Sequence, residues 1–144
     1  MAKTIEIPLY ILAIQDDGYH VFLELKVNDV KVYMLLDTGA SRTVFDIETL
    51  RKIHTGIVME ENEDKATGLG SNAVDNFIAS INKLEIGGLK IKNYETGVLD
   101  LSHVNTSYAK INIPAIAGVF GSDILMDYNA VISYKKKTLK LFKG

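Results

Sequence analysis

A chain of 144 residues that is 47% hydrophobic and 24% charged has enough apolar side chains for one sizeable core and the wrong composition for disorder. Its net charge is −2, with no basic excess to favour a nucleic-acid surface, and no run approaches the ~18 apolar residues of a membrane span. Cysteine is absent, which excludes disulfides, thiolate metal ligands and a cysteine nucleophile.

The opening MAKTIEIPLY alternates early and lacks the layout of a signal peptide; the cysteine-free composition fits either cytoplasm or periplasm. TIEIPLYILAI (4–14) is rich in β-branched residues and predicts a strand, and QDDG (15–18) predicts a turn. YHVFLELKV (19–27) follows, with Val21, Leu23, Leu25 and Val27 on one face. Asn28 and Asp29 turn the chain into VKVYMLL (30–36), whose end is apolar on both faces and so predicts burial. A helix is expected over 46–54, capped by Asp46, with Ile47, Leu50 and Ile53 at helical spacing. Residues 60–77 are polar. LEIGGLKI (84–91) reads as a hairpin about Gly87-Gly88, YETGVLDL (94–101) as a strand, and GSDILMDY (121–128) as a short helix. AVISY (130–134) and TLKLF (138–142) form a closing hairpin around the lysines at 135–137. With no linker or repeat, residues 1–144 read as one mostly β domain with two short helices.

Most candidate sites dissolve on inspection. His20, His54 and His103 are scattered without an H-x-x-x-H pair, so no metal is expected. GLGSNA (68–73) lacks the third glycine of a dinucleotide fingerprint, and no cofactor is expected. Asp37 is different. In LLDTGAS (35–41) an apolar strand delivers it, and Gly39 permits close backbone approach, so nearby amides can hold its carboxylate ionised. Such a group can activate water, but it is half of an acid–base pair. Two aspartates sharing one proton supply both halves, because like charges ~3 Å apart cannot both ionise.

LLDTGAS resembles the active-site loop of the retropepsin-like aspartic proteases. VFGSDIL (119–125) resembles the family's second signature, two hydrophobics and a glycine leading into a short helix, about 80 residues downstream. ATGLGS (66–71) lies between them, where the family places its flap. The closing pattern is most similar to the bacterial single-domain branch and to the retropepsin-like domain of eukaryotic ubiquitin-shuttle proteins. The resemblance implies a closed acid-protease barrel and an endopeptidase acting on peptides or proteins. In that family Asp37 corresponds to the catalytic aspartate, Thr38 to the threonine that reaches the partner's loop, and Gly39 to the glycine that contacts substrate and carboxylate. Ala40 and Ser41 complete the loop. Val119 is implied as a pocket wall, Phe120 and Gly121 as structural, and Gly68, Leu69, Gly70 and Ser71 as the flap tip.

Asp-Thr-Gly occurs once in the 144 residues, so an active dyad requires a second chain and hence a homodimer. The alternative is a non-catalytic peptide-binding or dimerisation module that keeps the loop for its hydrogen bonds. The chain also departs from viral enzymes. Ser41 stands where they usually carry an acid, and Ser122 where they commonly carry arginine. Arg42 and Asp123, each one place further on, are therefore expected to form a salt bridge tying the loop to the second helix.

Overall fold

The computed structural model describes residues 3–61 and 77–144. Two antiparallel strands, β1 (Lys3–Pro8) and β2 (Tyr10–Ile14), replace the single strand expected over 4–14. Pro8 has no amide to donate and so ends the first ladder. Leu9 is buried, its N–H donates to the Lys137 carbonyl at 2.8 Å, and the chain crosses to a second sheet.

β3 (Gly18–Val27) and β4 (Val30–Leu36) form the hairpin expected from the alternation of Val21, Leu23, Leu25 and Val27, all of them buried. Asn28 and Asp29 turn it with φ of 47° and 69°. Two left-handed residues in sequence suit the right-handed twist of a tight hairpin, and Asn and Asp tolerate them well. β5 (Val44–Asp46) leads into α1 (Ile47–Ile53), where Asp46 caps the helix by accepting from Thr49 N at 3.1 Å. β6 (Met59–Glu61) pairs with β7 (Phe77–Ile86), which returns through a turn at Gly87, φ 59°, into β8 (Leu89–Leu99). Then come α2 (Ser102–Lys110), β9 (Gly118–Phe120), α3 (Ser122–Asp127), β10 (Val131–Ser133) and β11 (Thr138–Lys143).

Three helices are therefore described where two were expected. α2 escapes local reasoning because Val104 and Tyr108 are its only large apolar residues, and its N-cap, Leu101, has no capping side chain. Tertiary contacts hold it instead. The Asn105 amide brackets Ile116, donating to its carbonyl at 3.1 Å and accepting from its N–H at 2.8 Å. Tyr108 is buried, stacks edge-on against Phe22, and bonds His20 Nδ1 at 2.8 Å. His20 Nε2 in turn donates to Asp17 at 2.8 Å.

The large sheet runs β2-β3-β4-β9-β5-β8-β7-β6, and β3 also pairs with β7 through Lys26↔Glu85 and Val27↔Leu84. That extra pairing closes β3, β4, β9, β5, β8 and β7 into a six-stranded barrel, as expected. Asn28 reinforces the seam, its N–H donating to the Lys83 carbonyl at 2.8 Å and its side chain accepting from Lys83 N at 3.0 Å. The small sheet β1-β11-β10 packs alongside, with Ile5, Ile7, Leu139 and Leu141 in the common core. Among the described residues no helix is long and apolar enough to cross a membrane.

Candidate active site

Two parallel strands set the site. β4 pairs with β9 in the register Met34↔Gly118, Leu35↔Val119 and Leu36↔Phe120, and β5 packs antiparallel on the other side of β9. β9 is thus threaded between the strand that enters the Asp37 loop and the strand that leaves it. Gly118 makes this possible: a Cβ there would overlap the carbonyl oxygen of Val44 and lie 2.9 Å from the Cα of Phe45. Glycine within a strand commonly marks such close backbone approach, so the signal was present in the sequence, although Gly118 was not singled out.

At the end of β4 the ladder continues through Asp37 N to the Phe120 carbonyl at 3.0 Å, and Ala40 N closes a turn onto the Asp37 carbonyl at 3.1 Å. Within that turn Gly39 N donates to Asp37 Oδ1 at 2.9 Å. A side chain on Gly39 would meet the same oxygen at 3.2 Å, so glycine keeps the carboxylate accessible. Asp37, Thr38 and Gly39 are exposed in the single chain, and the Thr38 hydroxyl makes no hydrogen bond to a described residue.

The two signatures meet in space, as the family resemblance implies. Gly121 lies so close to the loop that a Cβ would come within 2.5 Å of the Arg42 carbonyl group. Ser122 donates to the Ala40 carbonyl from both its N–H, at 2.8 Å, and its hydroxyl, at 2.7 Å. Phe120 is fully buried, whereas Val119 is half-buried and lines the cleft.

The expected Arg42–Asp123 salt bridge does not form. Asp123 Oδ1 instead accepts from both Thr43 N, at 2.9 Å, and Thr43 Oγ1, at 2.8 Å, while Oδ2 accepts from the Tyr94 hydroxyl at 2.6 Å. Burial explains the correction. Thr43, just before β5, turns inward and occupies Asp123, while Arg42 stays at the surface. Thr43 is 1% exposed, and Arg42 is exposed. Thr43 Oγ1 also accepts from Gly121 N at 2.9 Å, and its carbonyl accepts from Thr96 Oγ1 at 3.1 Å. One buried threonine therefore joins the segment after the Asp37 loop to β8 and to the start of α3. Sequence reasoning missed Thr43, Tyr94 and Thr96, because their partners are distant in the chain. Burial raises the Tyr94 hydroxyl pKa well above its ordinary value, and the hydrogen bond to the Asp123 carboxylate raises it further.

The cleft over this floor has a volume of about 1160 Å³. Asp37 and Gly39 open into it, with Val44, Ile78, Leu99 and Val119 supplying apolar wall. Gly68, Leu69, Gly70 and Ser71, the expected flap tip, lie outside the described residues.

The aspartyl protease family model matches residues 23–124, which spans the loop, the barrel and the second signature. Among curated proteins none matches the chain. Solved structures share its fold, and three of them illustrate the range. A retropepsin-like aspartic protease from Rickettsia conorii is 22% identical, with a TM-score of 0.58 over 99% of this chain and 93% of that one. The EIAV protease complexed with the inhibitor HBY-793 is also 22% identical, with a TM-score of 0.54 over 81% and 93% of the two chains. The retroviral protease-like domain of Ddi1 from Leishmania major is 16% identical, with a TM-score of 0.51 over 83% and 86%. A family match over most of the chain, together with an Asp-Thr-Gly loop interlocked with its second signature, places this chain in the aspartyl protease family, on a retropepsin-like fold.

Proposed function

We propose that the protein is an aspartic endopeptidase that works as a homodimer, each chain supplying one Asp37 to a shared dyad. The observation that carries this reading is the Asp37 loop itself. Its carboxylate is oriented by Gly39 N, opens into a peptide-sized cleft, and stands exposed in a chain that holds one Asp-Thr-Gly. An exposed Asp37 loop whose Thr38 hydroxyl bonds no described residue suits apposition of a second copy by two-fold symmetry.

In the dimer one Asp37 is ionised and its partner protonated. The ionised carboxylate takes a proton from a water between the two, and that water adds to the scissile carbonyl carbon. The protonated carboxyl donates to the carbonyl oxygen as charge develops there. Collapse of the tetrahedral species breaks the C–N bond: the proton taken from water passes to the leaving amine, and one hydroxyl of the tetrahedral carbon returns its proton to the second carboxylate, which restores the dyad. The substrate lies extended in the cleft, the geometry in which backbone hydrogen bonds hold a peptide and alternate side chains enter pockets.

Peptide-library digestion by the wild type beside Asp37→Asn is the test. The amide preserves shape but is no base, so cleavage is expected to fall by more than roughly 10³-fold with the dimer retained. Equal turnover by the two proteins rules out Asp37 as the catalytic group. Peptide binding without cleavage at any pH from 3 to 8, roughly the range a shared-proton dyad spans, selects the binding-module alternative.

A further inference from the structure

The cleft carries four ionisable side chains among its described lining residues: Asp37, Arg42, Glu95 and Asp123. Three are anionic, and two of these are committed. Both oxygens of Asp123 accept from Thr43 or Tyr94, and Asp37 is oriented by Gly39. Arg42 is the cation of the set, and it makes no ion pair or hydrogen bond through its guanidinium with any described residue. Glu95 lines the same cleft. The β5–β8 ladder begins at Val44↔Gly97, and Thr96 Oγ1 bonds the Thr43 carbonyl just before it, so continuing that course backwards would bring Arg42 toward Glu95. The two nonetheless form no ion pair.

The backbone that carries Arg42 is fixed. Its carbonyl group packs against Gly121, and the next residue is pinned by Asp123. A guanidinium offers five donors in a planar fork that matches a carboxylate, and here none is used on a described residue. We infer that the cleft selects peptides with an acidic side chain within about four residues of the scissile bond, and that Arg42 is the residue that reads it. The inference rests on the protease reading above.

The span follows from the loop. The turn closed by Ala40 N on the Asp37 carbonyl keeps the Cα atoms of Asp37 and Ala40 within roughly 7 Å. Two further residues add at most about 7 Å, and an extended substrate advances about 3.3 Å per residue. Two-fold symmetry would repeat the site on the other side of the bond. Glu95 sharpens the selection, because it repels a carboxylate that is not seated on the guanidinium.

The experiment walks glutamate, glutamine and lysine through the four positions on each side of the bond in an otherwise apolar peptide. It is run at about pH 6, above the ordinary glutamate pKa of about 4.3. Wild type is expected to favour glutamate over glutamine by about tenfold in kcat/KM at one position or a symmetric pair. The preference should shrink at high salt, vanish in Arg42→Gln and invert toward lysine in Arg42→Glu. Equal rates for glutamate and glutamine everywhere, or an unchanged preference in Arg42→Glu, overturn the inference while leaving the protease reading intact. If no peptide is cleaved, the same peptides are compared for binding to the full chain by fluorescence anisotropy. Tighter glutamate peptides that lose their advantage in Arg42→Gln support the role of Arg42, and equal affinities refute it.

Discussion

Thr43 concentrates the energetics of the site in one hydroxyl. It donates to Asp123 Oδ1 and accepts from Gly121 N, at 2.8 Å and 2.9 Å. Thr43→Val keeps the shape but strands a buried N–H and weakens the hold on a carboxylate. A buried unsatisfied group costs about 1–3 kcal/mol, so a loss of about 2–4 kcal/mol is expected, read as a lower urea midpoint at unchanged slope. An unaltered midpoint would remove Thr43 from its central place. Tyr94, the other donor to Asp123, makes a pH-dependent contribution. Its folded pKa is raised above the ordinary 10.0 by burial and by the Asp123 carboxylate. Stability from such a group is fully present below pH 10.0 and falls as the pH climbs toward the folded value, because the unfolded phenol ionises first. The stability difference between wild type and Tyr94→Phe should therefore be constant up to about pH 10 and narrow above it. A difference that stays constant to pH 12, roughly two units past the ordinary tyrosine value, would contradict this.

Among the elements, α1 has seven residues and owes its place to its cap. Isolated helices of that length are not stable in water. Asp46 is 5% exposed and uses both oxygens: Oδ2 accepts from Thr49 N and Oγ1, and Oδ1 accepts from Leu101 N at 2.9 Å. The cap expected from sequence is therefore also a tether to the segment that precedes α2. Asp46→Ala should cost about 2–4 kcal/mol, the sum of a lost cap and a stranded buried N–H. Asp46→Asn, which keeps an acceptor oxygen, should recover part of it. Equal thermal midpoints for the alanine and asparagine variants would count against the tether.

At the scale of the whole molecule, β1 and β11 pair with each other within one chain over Lys3↔Lys143 to Pro8↔Thr138. The barrel is likewise closed within the chain. A single chain can therefore complete its sheets, and the proposed dimer would form by docking of folded surfaces. Thr38→Ala removes a hydroxyl with no partner in the described chain, so the monomer should keep its stability while the dimer weakens by about tenfold or more in Kd. Sedimentation across a dilution series measures this. The same dissociation constant for mutant and wild type would exclude a cross-dimer role for Thr38.

Sequence alone determined whatever rests on local chemistry. The period-two alternation of β3, the left-handed turn at Asn28-Asp29, the Asp46 cap and the Asp37 loop each depend on residues a few positions apart, so each was legible. That the two signatures meet was implied by the family resemblance of LLDTGAS and VFGSDIL and by nothing in their spacing. Tertiary structure alone decided the partners of Asp123, which backbone Gly118 approaches and the existence of α2. The reason is distance along the chain. Thr43 meets Asp123 across 80 residues, and Tyr94 meets it across 29. Whether a polar side chain near the Asp37 loop turns inward to such a partner, as Thr43 does, or outward into the cleft, as Arg42 does, is set by how the segment before β5 docks on β8 and α3, and no local period encodes that docking.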